Sequence, residues 1–137
     1  DHAHRARTGA LMADLLSALG IAASGMEAQS ARLRTVSENI ANADTPGYRR
    51  KTLAFRAAAE GGAIEPGPVR LDRAALARVY DPGHPLADGS GYYDGSNVDL
   101  VIEIADAREA QRGYEANLRM FDQARQMTQG LFDLLRR

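Results

Sequence analysis

His2 and His4 form a His-x-His pair, a spacing at which two imidazoles can share a metal ion. His84 lies in a Pro-Gly loop near Asp81 and Asp88, residue types that general acid–base chemistry uses. Asp99, Glu103, Asp106 and Glu109 are a run of carboxylates, while Tyr48 stands beside the cations Arg49, Arg50 and Lys51, as in a nucleic-acid contact. Each set has a simpler reading. The two N-terminal histidines sit in a polar, aperiodic stretch with no third ligand beside them. His84 is accompanied by no second histidine and no activated nucleophile, and reads as part of a solvated turn. The carboxylates recur at helical i+3 and i+4 spacing with Arg108 and Arg112 interspersed, which describes a charged helix face, solvated or between subunits. The basic run is short, and a net charge of −1 gives no global pull toward nucleic acid or anionic lipid. Cys is absent, which excludes disulfides, thiolate zinc sites and cysteine nucleophiles. Gly89-Ser90-Gly91 does not lead from a strand into a helix, so it is no phosphate loop. The residues therefore predict no catalytic site, no cofactor and no metal.

The elements that carry these residues are two long helices and what lies between them. Across 137 residues, 45% are hydrophobic but only 6% aromatic, and much of the apolar share is Ala. A core built this way is thin, because Ala removes little area from water. Residues 1–10 read as a flexible leader or an appended remnant. From Leu11 to about Ala43, Met12, Leu19, Met26, Leu33 and Ile40 recur every seven residues, with Leu15, Ala22, Gln29, Val36 and Ala43 three positions later. Asp14 interrupts the apolar run and the periodicity continues past Ala28, which argues against a secretory signal peptide. No other stretch approaches the apolar length of a membrane span.

A second stripe runs from about Val98 to Leu135 through Ala107, Tyr114, Phe121, Thr128 and Leu135, with Ala110, Asn117, Ala124 and Leu131 between. Ser96 and Asp99 have the spacing of a capping box, which predicts the helix start there and makes this the longer helix. Gly113 and Gly130 lie inside it, each weakening it by about 1 kcal/mol while permitting close approach by a neighbour. The segment 48–97 is rich in Pro and Gly, and "TLAF", "GPVRLD" and "ARVYD" read as short strands. The predicted fold is mainly α. A leader (1–10) precedes an N-terminal helix with its turn (11–47), a small β-rich loop region (48–97) and a C-terminal helix (98–137). The two helices pair as an antiparallel coiled coil. Two narrow stripes cannot enclose a three-dimensional core, so their apolar surface calls for neighbouring molecules. In such an assembly the basic run meets acidic faces of adjacent subunits.

Between the first helix and the first strand lies "NIANADTPGYRRKT". Asn39 falls in the last helical turn, where its amide can bond backbone groups or a neighbouring chain. Asn42 suits a left-handed helix stop. Thr45 precedes a proline and is pushed toward an extended backbone. Pro46-Gly47 fits the centre of a type II turn, since Pro presets φ and Gly accepts a positive one. Tyr48 leaves the turn beside the basic run.

The full string resembles the signature of the bacterial flagellar rod and hook axial proteins, on Asn39, Ile40, Ala41, Asn42, Thr45, Gly47 and Tyr48, with Pro46 inside the turn. The region from Ala18 to Lys51 is similar to that family's whole N-terminal part. Tyr80 to Asp88, then Asn97-Val98-Asp99, then Arg112, Tyr114, Ala116 and Asn117 resemble its proximal-rod branch. The likeness covers nearly everything from Leu11 onward and departs at the ten residues before it. It implies a structural, non-enzymatic subunit of the basal-body rod, the periplasm-spanning shaft that transmits motor torque. Such a subunit is exported from the cytoplasm by the flagellar type III apparatus without a cleaved signal peptide. Implied partners are copies of itself, other proximal and distal rod proteins and the protein at the MS-ring/rod junction. Neither nucleic acid nor membrane insertion is implied. The packing residues would be Met12, Leu15, Leu19, Met26, Leu33, Val36 and Ile40 on the first helix and Tyr114, Asn117, Phe121, Leu131 and Leu135 on the second. Another rod subunit would share the N-terminal signature, and a coiled-coil adaptor would share the stripes but lack the motif after the helix.

Overall fold

The computed structural model describes residues 1–59 and 61–136. Helix α1 spans His2–Ala41, strands β1 Lys51–Ala57, β2 Ile64–Leu71, β3 Arg78–Tyr80 and β4 Tyr92–Asp94 follow, and helix α2 spans Leu100–Leu135. Residues 2–10, expected as a flexible leader, are the opening turns of α1. Asp1 caps them by accepting the Ala3 N–H at 3.0 Å, and the Ala- and Arg-rich composition after it favours helix. With 40 residues against 36, α1 and not α2 is the longer helix, about 60 Å at 1.5 Å per residue.

The second helix also starts later than its sequence suggests. Asp99 itself is the N-cap, accepting the Val101 N–H at 3.0 Å. Ser96 is buried and faces backward, donating to the Ala43 carbonyl at 2.5 Å. A capping box would have left that hydroxyl on α2, but the chain turns it to tie the two helix ends together.

The helices run antiparallel. Gly25 faces Asn117, Gln29 faces Gly113, and Asn39 bonds Glu103. These pairs advance by four and then ten residues along α1 while retreating by four and then ten along α2, so one register holds throughout. The two glycines make it possible, for a Cβ at either would overlap the facing amide. Each helix thus carries a notch, and an amide four residues further on that fills the partner's notch. The buried apolar residues are Leu15, Ala22, Ala28, Val36, Ala110 and Ala124. Small residues on the seam let the backbones approach, at the cost of area removed from water.

Strands β1 and β2 pair antiparallel, and the ribbon lies against α1, where the Ile64 N–H donates to Ser24 Oγ at 3.1 Å and the Arg32 guanidinium sits 4.8 Å from the Phe55 ring. A register shift between Leu53 and Phe55 bends it. Strand β4 lies where the Pro- and Gly-rich sequence suggests turn. It pairs with β3 through Arg78–Asp94, Val79–Tyr93 and Tyr80–Tyr92, and among the described elements this hairpin packs on no helix or strand but itself. The molecule exposes 9393 Å². A compact monomer of 14.8 kDa exposes about 7,000 Å², so the fold leaves much of its surface uncovered.

Candidate functional site: a polar joint and unpaired apolar flanks

The joint forms where α1 ends. Asn42, expected in a left-handed conformation, has φ −108° and ψ 15°. Its N–H continues the helix bonding to the Glu38 carbonyl at 3.1 Å, and its side-chain amide donates to that same carbonyl at 2.9 Å. The stop is therefore made by the side chain, and the left-handed residue comes five positions later. Gly47 has φ +75°, and the Tyr48 N–H donates to the Thr45 carbonyl at 3.1 Å, which closes a type II turn. The Gly47 N–H bonds the carbonyls of Asp94 and Gly95 at 3.2 and 3.0 Å, fastening the turn to the β3–β4 hairpin.

Asn39 is 1% exposed and sits at the centre. Its Oδ1 accepts the Tyr48 hydroxyl at 2.8 Å and the Lys51 N–H at 2.9 Å, while its Nδ2 donates to the Lys51 carbonyl at 2.8 Å and Glu103 Oε1 at 3.2 Å. The amide thus pairs with Lys51 as a neighbouring strand would. Asp has no N–H to donate, so only an amide of this length completes the pattern. Burial raises the Tyr48 phenol above its ordinary range, helped by the negative charge of Glu38 and opposed by Lys51.

Glu103 is wholly buried. Its Oε1 also takes the Arg50 Nε, and Arg50 reaches Asp106 at 2.8 Å and Asp72 at 3.8 Å. A carboxylate expected on a solvated or inter-subunit face is therefore the internal anchor of α2. The Arg50 N–H donates to Asn97 Oδ1 at 2.5 Å, and Asn97 Nδ2 bonds the carbonyls of Asp72 and Ala74, each at 3.0 Å. Lys51 Nζ pairs with Glu38 at 2.5 Å. Two of the three cations expected to face acidic neighbours are thus spent within the chain. One joint gathers α1, β1, the loop after β2 and α2.

The helix stripes lie differently from their reading. Leu15 and Val36 are buried, but Met12, Leu19, Met26 and Leu33 are half-buried and Ile40 is 41% exposed. The seam follows the companion positions, because Ala22 and Gly25 admit the partner backbone and the larger residues cannot. On α2, Tyr114, Asn117, Phe121 and Leu131 are half-buried, while Leu135 is exposed. Met26, Tyr114 and Phe121 line an open groove of about 610 Å³ beside Pro66, and Leu33, Tyr114 and Leu118 line another of about 590 Å³. Of the motif residues, Asn39 and Tyr48 enter the joint, Asn42 and Thr45 bond each other at 3.1 Å, and Ile40, Ala41 and Pro46 stay exposed.

Sequence reasoning missed a further apolar surface. Leu100, Val101, Ile102 and Ile104 are all exposed, Val101 by 76%. In α1 an 18-residue window has mean hydropathy 1.5 with 17% of it buried, long and apolar enough by length and composition to cross a membrane. The remaining chemical candidates are local. His84 stacks on Tyr93 with centroids 3.9 Å apart and accepts the Leu86 N–H at 3.1 Å. Asp88 accepts the Ser90 hydroxyl, pairs with Arg78 and takes the Tyr92 N–H, which together hold its carboxyl well below the usual range. His2 and His4 lie exposed on the first turn of α1. Among the described residues no three His, Cys, Asp or Glu side chains converge as metal ligands would.

Two family models match the chain. "Flagella basal body rod protein" covers residues 19–49 and "Flagellar basal body rod FlgEFG protein C-terminal" covers residues 90–134, the two ends that meet at the joint. Among individual relatives, the flagellar basal-body rod protein FlgC of Agrobacterium fabrum is 46% identical over 136 residues, covering 91% of this chain and 98% of the relative. FlgC of Salmonella typhimurium is 37% identical, covering 82% and 92%, and FlgC of Aquifex aeolicus is 34% identical, covering 89% and 98%.

Proposed function

The chain belongs to the FlgC family of flagellar basal-body rod proteins, and from that premise we infer that it is a structural subunit of the bacterial flagellar rod. Its work is mechanical. The observation that carries the reading is the contrast between a polar joint whose groups, Glu103 Oε2 apart, bond one another and helix flanks whose apolar groups are left uncovered. A protein that functions alone covers such flanks with its own chain. Here Leu100, Val101 and Ile102 and the grooves along Tyr114 stay open, as an element laid into a wall of like elements requires. Contacts repeated between different patches of successive copies yield a helical filament when their rotation does not close into a ring.

The rod-motif residues take the role of a hinge stop in this reading. Asn39, Tyr48 and Gly47 fix the direction in which the β segments leave α1, so each subunit offers neighbours the same faces. Met12, Leu19, Met26, Leu33, Tyr114, Phe121, Leu131 and Leu135 contribute the apolar flanks that neighbours cover. The partners are copies of the chain, other proximal and distal rod proteins and the MS-ring/rod junction protein. The subunit sits in the periplasmic part of the basal body, reached by type III export without a cleaved signal peptide. It carries torque and catalyses nothing.

Electron microscopy of basal bodies purified from a strain whose own copy is replaced by this chain tests the reading. Density for the α1–α2 pair in the rod wall is expected. Motile cells whose rods lack that density would overturn it.

A further inference from the structure

The sequence marks a basic run after the turn, and the joint consumes Arg50 and Lys51 but not Arg49. The pairing of Lys51 with Leu71 and Thr52 with Arg70 brings residues 49–50 beside residues 70–73 at one end of the β1–β2 ribbon. Arg49, Arg70, Leu71 and Arg73 there wall a concavity of about 610 Å³. One nitrogen of Arg49 donates to the carbonyls of Asp72 and Ala74 at 3.4 and 3.1 Å. That fixes its guanidinium and leaves the Nε and the other Nη without a partner among the described residues. Arg70 and Arg73 form no ion pair and no side-chain hydrogen bond among the described residues. The acid nearest in sequence is already committed, since Asp72 accepts the Ala74 N–H at 2.8 Å and faces Arg50 at 3.8 Å. Three like charges therefore line one hollow in a chain whose net charge is −1, a local positive field that draws an anion.

We propose that this concavity is a carboxylate receptor that takes an Asp or Glu side chain of a neighbouring rod subunit. It rests on the rod reading above and names a contact within it. A guanidinium fork matches a carboxylate in two parallel hydrogen bonds. Leu71, 55% exposed on the wall, suits the methylenes of an acidic side chain and the backbone behind it, which a bare inorganic anion lacks. A bilayer meets cations spread over a flat or convex face, whereas these three surround a hollow.

The full-length chain is titrated with a doubly capped Glu-rich pentapeptide, with inorganic phosphate and with phosphatidylglycerol vesicles, following the arginine Nε–H NMR signals. The capped peptide should shift the signals of Arg49, Arg70 and Arg73 saturably. Arg70→Gln with Arg73→Gln should weaken its binding about tenfold with an unchanged circular-dichroism melt. Phosphate binding as tightly as the peptide, a preference for vesicles, or no saturable shift would each overturn the proposal. In cells, Arg70→Glu with Arg73→Glu should lower incorporation into basal bodies. If wild type incorporates and that variant does so equally, the receptor falls alone; if wild type does not incorporate, the rod reading falls with it.

Discussion

The two ends of the helix pair solve opposite problems. At one end, Asn39, Tyr48, Arg50 and Glu103 Oε1 bond one another directionally and are largely shielded from water, with Glu103 Oε2 buried and unbonded among the described residues. At the other, Leu11, Leu16, Phe132, Leu134 and Leu135 are exposed, and no residue before Leu15 or after Thr128 is buried among those described. The polar groups at the first end are bonded within one chain, beside an apolar strip of Leu100, Val101, Ile102 and Ile104 that stays exposed, while the far end offers apolar surface alone. Polar groups tolerate little misplacement, so they fix geometry before assembly. Apolar surface is indifferent to direction, and its burial can be deferred until a neighbour is at hand.

Breaking the joint should have the largest effect. Glu103→Leu takes from Arg50 its buried partner, leaving Asp106 and Asp72, strands one Asn39 donor, and should cost about 3 kcal/mol in urea unfolding. Adding Arg50→Leu should return part of that loss, since no guanidinium is then left against an apolar side chain, while the Asn39 donor stays unpaired. Next comes the register. Gly113→Val drives a side chain into Gln29 and should cost about 2 kcal/mol, with Gln29→Ala in the same chain recovering most of it. The Gln29 Oε1 is buried and unbonded, so little is lost with it. Tyr48→Phe removes one hydrogen bond to Asn39 and should cost about 1 kcal/mol. The folded phenol holds its proton more tightly than the unfolded one. Its contribution is therefore complete below about pH 10 and lost as pH rises through the folded value, an alkaline decline in urea midpoint that the Phe variant should lack in part. At the far end, Leu11→Ser and Leu134→Ser should change monomer stability by less than about 0.5 kcal/mol yet sharply reduce incorporation into rods. Amide exchange on the dilute chain should find residues 2–14 and 129–135 poorly protected. Full protection there would erase the distinction between the ends.

What was legible in the sequence was local. Both helices, the type II turn at Pro46-Gly47 and three of four strands follow from periodicity and from residues that restrict φ. The fourth, Tyr92–Asp94, was hidden because Asp94-Gly95 reads as turn and its partner lies across a loop. Glu103 was misplaced for a similar reason. By i+3 and i+4 spacing it belongs to a charged face, and only Arg50, 53 residues away, gives a carboxylate reason to be buried. A signal did exist, since Glu103 continues the seven-residue spacing of Ala110, Asn117 and Ala124. Gly25 and Gly113 each precede an amide by four residues, a repeated pattern that marks the notches. The first turns of α1 were missed because their residues are polar, and periodicity detects only helices with an apolar side.

The common register of Gly25 with Asn117, Gln29 with Gly113 and Asn39 with Glu103 bears on how such an element carries load. A uniform apolar seam offers nearly equivalent resting places one turn apart, and under sustained force its strands can creep from one to the next. Here a slip of one turn would empty both notches, jam two amides against side-chain-bearing backbone and unpair a buried acid, all in the same movement. No intermediate rest lies along that path, so each hairpin holds its length until it fails outright, the behaviour of a key in a shaft.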